Sequence, residues 1–195
     1  MYDRVNIIRA SWLVVIGMLG FAVQGSPASD YPTTAYDAFY KGTSPGSEYT
    51  LRMASDGHGH FLTDSKASGC RMWKLVDFVN GIETRIIELP GAGQQKTVSK
   101  FQPKADDAVV DADSAKRRGA TAIGSKKIAG HQCTGYETVT PGGKVEVWVD
   151  DDLKVLVQST QKTMLGVSVV ELQSVSNTPA ADLFVVPADG KLKAD

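Results

Sequence analysis

The sequence is poor in the residues that usually announce chemistry. Its 195 residues include two cysteines, Cys70 and Cys133, and three histidines, His58, His60 and His131. Two cysteines allow at most one bridge. No phosphate-binding loop, dinucleotide fingerprint or serine nucleophile elbow occurs. Charge of either sign is not in excess: 21 basic residues stand against 22 acidic ones. Such a balance supplies no general attraction to nucleic acid or to anionic lipid. Internal repeats and low-complexity tracts are absent. The apolar run Ala10–Val23 is too short to cross a bilayer, which takes roughly 20 residues.

That run has another reading. Arg4 and Arg9 precede it against one acid, Asp3, and the small polar stretch Gln24–Asp30 follows. A basic start, a short apolar centre and small residues at the exit describe a secretory signal peptide over residues 1–28, cut after Gly25 or Ala28. No cysteine follows for lipid attachment, so no membrane anchor is expected after cleavage. The mature chain, residues 29–195, is expected to be a single domain with a real core, placed in the periplasm or secreted. Export permits a Cys70–Cys133 disulfide, and two buried free thiols are the other outcome.

The mature chain reads as strand after strand. "EYTLRMAS" and "HFLTDS" flank Asp56-Gly57; "CRMWKLVDFV" and "IETRIIEL" flank Asn80-Gly81. Asp-Gly and Asn-Gly between such runs are hairpin signals. "QKTVSKF", "SKKIAG", "QCTGYETV", "KVEVWVD", "KVLVQSTQK", "VSVVELQSV" and "DLFVVP" follow, separated by short turns. The spacing predicts an antiparallel meander of about ten strands with one or two short helices. One helix is expected over Thr33–Tyr40, where Tyr36, Phe39 and Tyr40 fall at helical spacing. The other is expected over Ala105–Gly119, with acids at its start, Lys116–Arg118 at its end and Gly119 as its cap.

Several strands carry bulk on both sides. In "CRMWKLVDFV", Met72, Val76 and Phe78 share one side, while Trp73, Leu75 and Val79 share the other. Trp148 interrupts the polar side of "KVEVWVD". "VSVVELQSV" changes parity between Val169 and Val170, which predicts a bulge or a doubly buried strand. The sheet therefore asks for cover on two faces, and two short helices supply little. A curved, mainly β sheet or incomplete barrel enclosing an apolar hollow meets that demand, and so does a tightly packed interior.

Candidate chemistry is thin. His131 and Cys133 lie two apart on a strand and point the same way. A nucleophilic thiol also needs a cation or helix N-terminus and an oxyanion site, and neither is visible. His58 and His60 form a His-x-His pair that lacks a third metal ligand. Asp106, Asp107, Asp111 and Asp113 lack the spacing of a calcium loop. Asp150–Asp152 is turn chemistry, in which Asp bonds its own backbone. No catalytic residue, metal or cofactor is expected.

The segments "YTLRMASDGHGHFLT", "VDFVNGIETRIIEL", "IAGHQCTGYE", "VEVWVDDDLKVLVQS" and "DLFVVPADGKL" follow one another in a familiar order. An SDG hairpin is followed by a Gly-x-x-Cys strand, a Trp-bearing strand ending in acids and a Phe-x-x-Pro segment. Over Glu48–Leu192 the chain resembles secreted bacterial proteins of the outer-membrane lipoprotein carrier (LolA-like) superfamily. The resemblance implies an unclosed antiparallel barrel, helices acting as a lid, and an apolar face that receives acyl chains. No arginine here matches the carriers' lid-locking arginine, so no site residue is carried over.

The expected function is non-enzymatic binding of a lipid or lipoprotein acyl chain against a concave apolar face. Expected lining residues are Met53, Phe61, Trp73, Leu75, Ile87, Trp148 and Leu156. The alternative is an envelope structural or regulatory module that recognises another envelope protein.

Overall fold

In a computed structural model, the structure describes residues 33–100, 115, 119–140, 142–188 and 192. The signal-peptide reading and the acidic cluster at Asp106–Asp113 lie outside them. Eleven antiparallel strands form one curved, unclosed sheet. They are β1 (Ala35–Ser44), β2 (Ser47–Asp56), β3 (His60–Ala67), β4 (Cys70–Asp77), β5 (Ile82–Leu89), β6 (Gly93–Lys100), β7 (Thr121–Ile128), β8 (His131–Thr140), β9 (Gly143–Asp150), β10 (Leu156–Thr163) and β11 (Gly166–Ser176). The spatial order is β6-β5-β4-β3-β2-β1-β11-β10-β9-β8-β7. Two meanders thus stand side by side, β1–β6 and β7–β11, joined where β1 pairs with β11. The outer strands β6 and β7 are exposed along almost their whole length.

The first strand replaces an expected helix. Tyr36, Phe39 and Tyr40 fit a helical period, yet the chain over Ala35–Ser44 is extended and pairs on both sides, with β2 and with β11. Extended, it buries Tyr36, Ala38 and Tyr40 in alternation and leaves Phe39 43% exposed. A central strand with two partners satisfies both of its backbone edges, which an eight-residue helix could not offer the sheet. The segment "DLFVVP" is the converse case. It forms a short 3-10 helix, Ala181–Phe184, and then runs on without pairing. Of the second expected helix, Ala115 is helical and buried, and its carbonyl accepts a hydrogen bond from the Ala120 N–H. Gly119 takes a positive φ of 66°, as the cap reading requires.

Side-chain parity divides the sheet into two faces. Across the centre, Tyr36, Ala38 and Tyr40 share a face with Leu51 and Met53, and then with Phe61 and Val76. On the other side of β1 the same face continues through Leu172 and Val170. These residues belong to the largest apolar cluster. Farther along, Val145, Val147 and Val149 of β9 pack with Tyr136 and Ala115.

On the opposite face an apolar cluster lies beneath the C-terminal segment. There Ala54, Leu62, Trp73, Leu75 and Ile86 pack under Leu183, Phe184, Val186 and Leu192. Beside this cluster the face is charged. Arg52 grips Asp37 with two bonds, 2.8 and 2.7 Å long, and Arg71 Nη2 reaches Asp64 Oδ2 at 2.6 Å.

The two-sided reading of β4 is met in this way: Val76 enters the main core while Trp73 and Leu75 lie beneath the C-terminal segment. β11 keeps strict alternation through Ser168, Val170 and Leu172, so no parity change occurs at Val169. Its bulge lies later, where the pairing jumps from Ser174 to Leu172 opposite Phe39 and Tyr40, leaving Gln173 as the extra residue.

Candidate functional site: the tyrosine-bearing face and its open end

The seven expected lining residues do not share one face. Met53, Phe61 and Ile87 lie on the tyrosine-bearing face: Phe61 is opposite Ser55, Met53 opposite Thr63, and Ile87 opposite Met72. Leu156 stands opposite Val149 and packs against both the main and the β9 clusters. Trp73 and Leu75 face the other way, under the C-terminal segment. Trp148 also alternates away from the three valines of β9. Its ring lies over Gly135, where any Cβ would collide with it, and Lys126 Nζ sits 3.9 Å from its centroid. Pleat parity in the sequence separates neighbours on one strand. It cannot say how the parity of one strand relates to that of the next, because register is set by turns and bulges.

Two features of the apolar face were not legible as a site. Tyr40 and Tyr49 are 2% and 3% exposed, and neither hydroxyl has a hydrogen-bond partner. Tyr49 pairs with Gly42 across β1 and β2, and the hydroxyl-bearing end of its ring lies directly over Gly42. A Cβ there would overlap that ring, so only glycine leaves the space. Nearby, the β1–β2 pair outruns the β3–β4 hairpin: β2 begins at Ser47, but Thr50 is its first residue to pair with β3, opposite Lys66. An open depression of about 690 Å³ occupies this step. Its wall includes residues of both parities, Tyr40, Tyr49 and Cys70 as well as Lys41, Thr50 and Lys66. It therefore reaches round the end of the hairpin from one face to the other.

The polar groups singled out from the sequence are engaged structurally. His131 Nδ1 lies 2.8 Å from Asp150 Oδ2. The Cys133 thiol donates to the His131 carbonyl instead of meeting the imidazole. Burial pushes the Cys133 thiol up, and Asp150 and Asp151 push it further, the opposite of an activated nucleophile. Asp150 Oδ1 accepts the Asp152 and Leu153 N–H groups at 2.8 and 2.6 Å, the turn chemistry expected of it. Burial alone would raise the Asp150 carboxyl. Its bonds from Leu153, His131 and Asp152 outweigh that and hold it below the usual range.

Asp56 plays the same part at the β2–β3 turn. It accepts the His58 and His60 N–H groups and lies 2.6 Å from His60 Nδ1. Among the described residues no cluster of three His, Cys, Asp or Glu could hold a metal ion.

The Cys70–Cys133 bridge is not formed; both cysteines are free thiols. They stand on β4 and β8, with six strands between them in the sheet order. Among the described residues no helix is long and apolar enough to cross a membrane.

No protein-family model matches the chain, and no curated protein does. Solved structures do. An uncharacterised conserved protein from Thermus thermophilus superposes with a TM-score of 0.59 at 11% identity, over 82% of this chain and 89% of that one. A chain of the Pseudomonas aeruginosa MucA/MucB complex superposes with a TM-score of 0.52 at 15% identity, over 83% of this chain and 59% of that one. The chain has the fold of these two proteins. An outer-membrane lipoprotein-sorting protein domain from Vibrio parahaemolyticus also matches, over 76% of this chain and 88% of that domain, with 8% identity and a TM-score of 0.34, a superposition too loose to carry an argument. The chain spans only 29% of a longer structure that it matches at a TM-score of 0.48.

Proposed function

We propose that the protein is a non-enzymatic binding protein of the bacterial cell envelope, exported to the periplasm, that receives a lipid or acyl chain on the tyrosine-bearing face of its sheet. The observation that carries this reading is a continuous apolar face running through β4, β3, β2, β1 and β11 of a sheet whose outer strands belong to opposite ends of the strand order. Closed barrels fill their interior with side chains or hold a ligand; an open, curved sheet with one broad apolar face has the same choice. Burial of an acyl chain there would be driven by about 25 cal/mol per Å² of apolar surface, less the cost of association. The resemblance in sequence order to the lipoprotein carriers supports the same ligand class. Met53, Phe61, Ile87 and Leu156 are the lining residues this reading retains. The single-domain organisation of residues 29–195 and the removal of residues 1–28 belong to the same proposal.

Native mass spectrometry of the protein purified from a bacterial envelope tests it. Co-purified lipid is expected, removable by organic extraction. Protein that carries no lipid and takes up no fatty acid after extraction would overturn the proposal.

A second reading has its own observation. Among the described residues no strand pairs with the outer edge of β6 or of β7, and such edges can take a foreign strand. An envelope protein would then be the partner. Cross-linking in the envelope would capture it at β6 or β7.

A further inference from the structure

Deeply buried hydroxyls almost always find a partner, because an unbonded one gives up its water for nothing. Among the described residues three buried side-chain atoms lack a partner: Tyr40 Oη, Tyr49 Oη and Gln161 Oε1. Gln161 lies on β10 and can only accept through that atom, while its amide donates to the Gly142 carbonyl. The two phenols differ from it in being donors and in being neighbours.

Tyr40 and Tyr49 are diagonal neighbours in the register of one face. Tyr40 and Gly42 lie two apart on β1 and so project to the same face. Tyr49 starts from β2, but its ring crosses to β1 and ends over Gly42. The hydroxyl of Tyr49 is thereby delivered to the strand that bears Tyr40. Both residues also form part of the wall of the depression at the step beyond the β3–β4 hairpin. Burial pushes the Tyr49 phenol up to about 12, and burial together with Tyr36 pushes Tyr40 well above its ordinary value. Both groups therefore keep their protons at any physiological pH and remain donors.

We propose that Tyr40 and Tyr49 each serve as a hydrogen-bond donor to the polar end of an acyl ligand, a carboxylate or an ester carbonyl, entering through the step between β2 and the β3–β4 hairpin. This rests on the reading of the sheet as an acyl-chain binder and adds the polar end of the ligand to it. The apolar face accounts for affinity toward the chain. The phenols fix which end lies at the step, as a few polar groups do in apolar pockets.

The test uses the full mature chain and two fluorescent probes, cis-parinaric acid and its methyl ester. The variants are Tyr40→Phe, Tyr49→Phe and the double change, which keep the rings and remove only the hydroxyls. Each single change is expected to weaken probe binding about tenfold, the size of one hydrogen bond to a charged or polar acceptor. Thermal midpoints are expected to stay level or rise, since each change removes an unbonded buried hydroxyl. A loss confined to the acid assigns the pair to a carboxylate; a loss for both probes assigns it to a carbonyl oxygen. Variants that bind both probes as wild type does would overturn the donor role and leave the acyl-binding reading standing. A fall of several degrees in the midpoint would also overturn it, because the hydroxyls would then be bonded within the fold. Wild-type protein that binds neither probe would remove both readings together.

Discussion

Single side chains in this protein are mostly committed to holding turns, and Asp150 shows it best. One carboxyl takes the Asp152 and Leu153 N–H groups and the His131 ring. Removing it strands two backbone donors in a buried turn and frees the imidazole. Asp150→Ala is expected to destabilise the protein by about 1–3 kcal/mol at neutral pH, measured by urea unfolding. The folded carboxyl is held below its ordinary value. Its contribution is therefore present above the usual aspartate range, about pH 4, and is lost as pH falls through the folded value. The gap between Asp150→Ala and wild type should shrink as the pH is taken below about 4. A gap that widened on acidification would contradict this. The sequence showed this role plainly, because consecutive aspartates between two strands have few other uses. It did not show the role of Gly42, whose significance lies in a ring projected from another strand.

At the scale of elements, the C-terminal segment is the piece whose removal says most. Leu183, Phe184, Val186 and Leu192 cover Ala54, Leu62, Trp73, Leu75 and Ile86, and Gln94 of β6 accepts the Leu192 N–H at 2.8 Å. A chain ended at Ala180 is expected to melt at lower temperature, to bind a hydrophobic dye and to shift its Trp73 emission to the red. An unchanged emission spectrum would mean that the segment does not cover the indole. Ten of the eleven strands could be read from alternation and turn chemistry, since Asp-Gly, Asn-Gly and Pro-Gly-Gly bracket most of them. β1 could not, because Tyr36, Phe39 and Tyr40 satisfy a helical period as well as Tyr36, Ala38 and Tyr40 satisfy a strand. Only the pairing with β2 and β11 decides between them. "DLFVVP" failed in the other direction: its apolar residues serve as cover for a sheet face rather than as a strand.

For the molecule as a whole, stability is expected to come from burial without covalent reinforcement. Cys70 is partly exposed and Cys133 buried, and neither is bridged. A thiol reagent should label Cys70 in the native protein and Cys133 only on unfolding. Added reductant should leave the melting temperature unchanged; a reductant-sensitive melt would contradict the structure. The overall architecture was legible as an antiparallel β protein, whereas the strand order was not. Its decisive contact joins residues near Asp37 to residues near Ser176, and no local pattern encodes a pairing of that span.

That same contact bears on how the chain must assemble. β1 pairs with β2 across a short turn, but its second flank pairs only with β11, far along the chain. Making that contact closes a loop spanning most of the polypeptide, a non-local step of the kind that slows folding and leaves a strand edge open to aggregation until it is made.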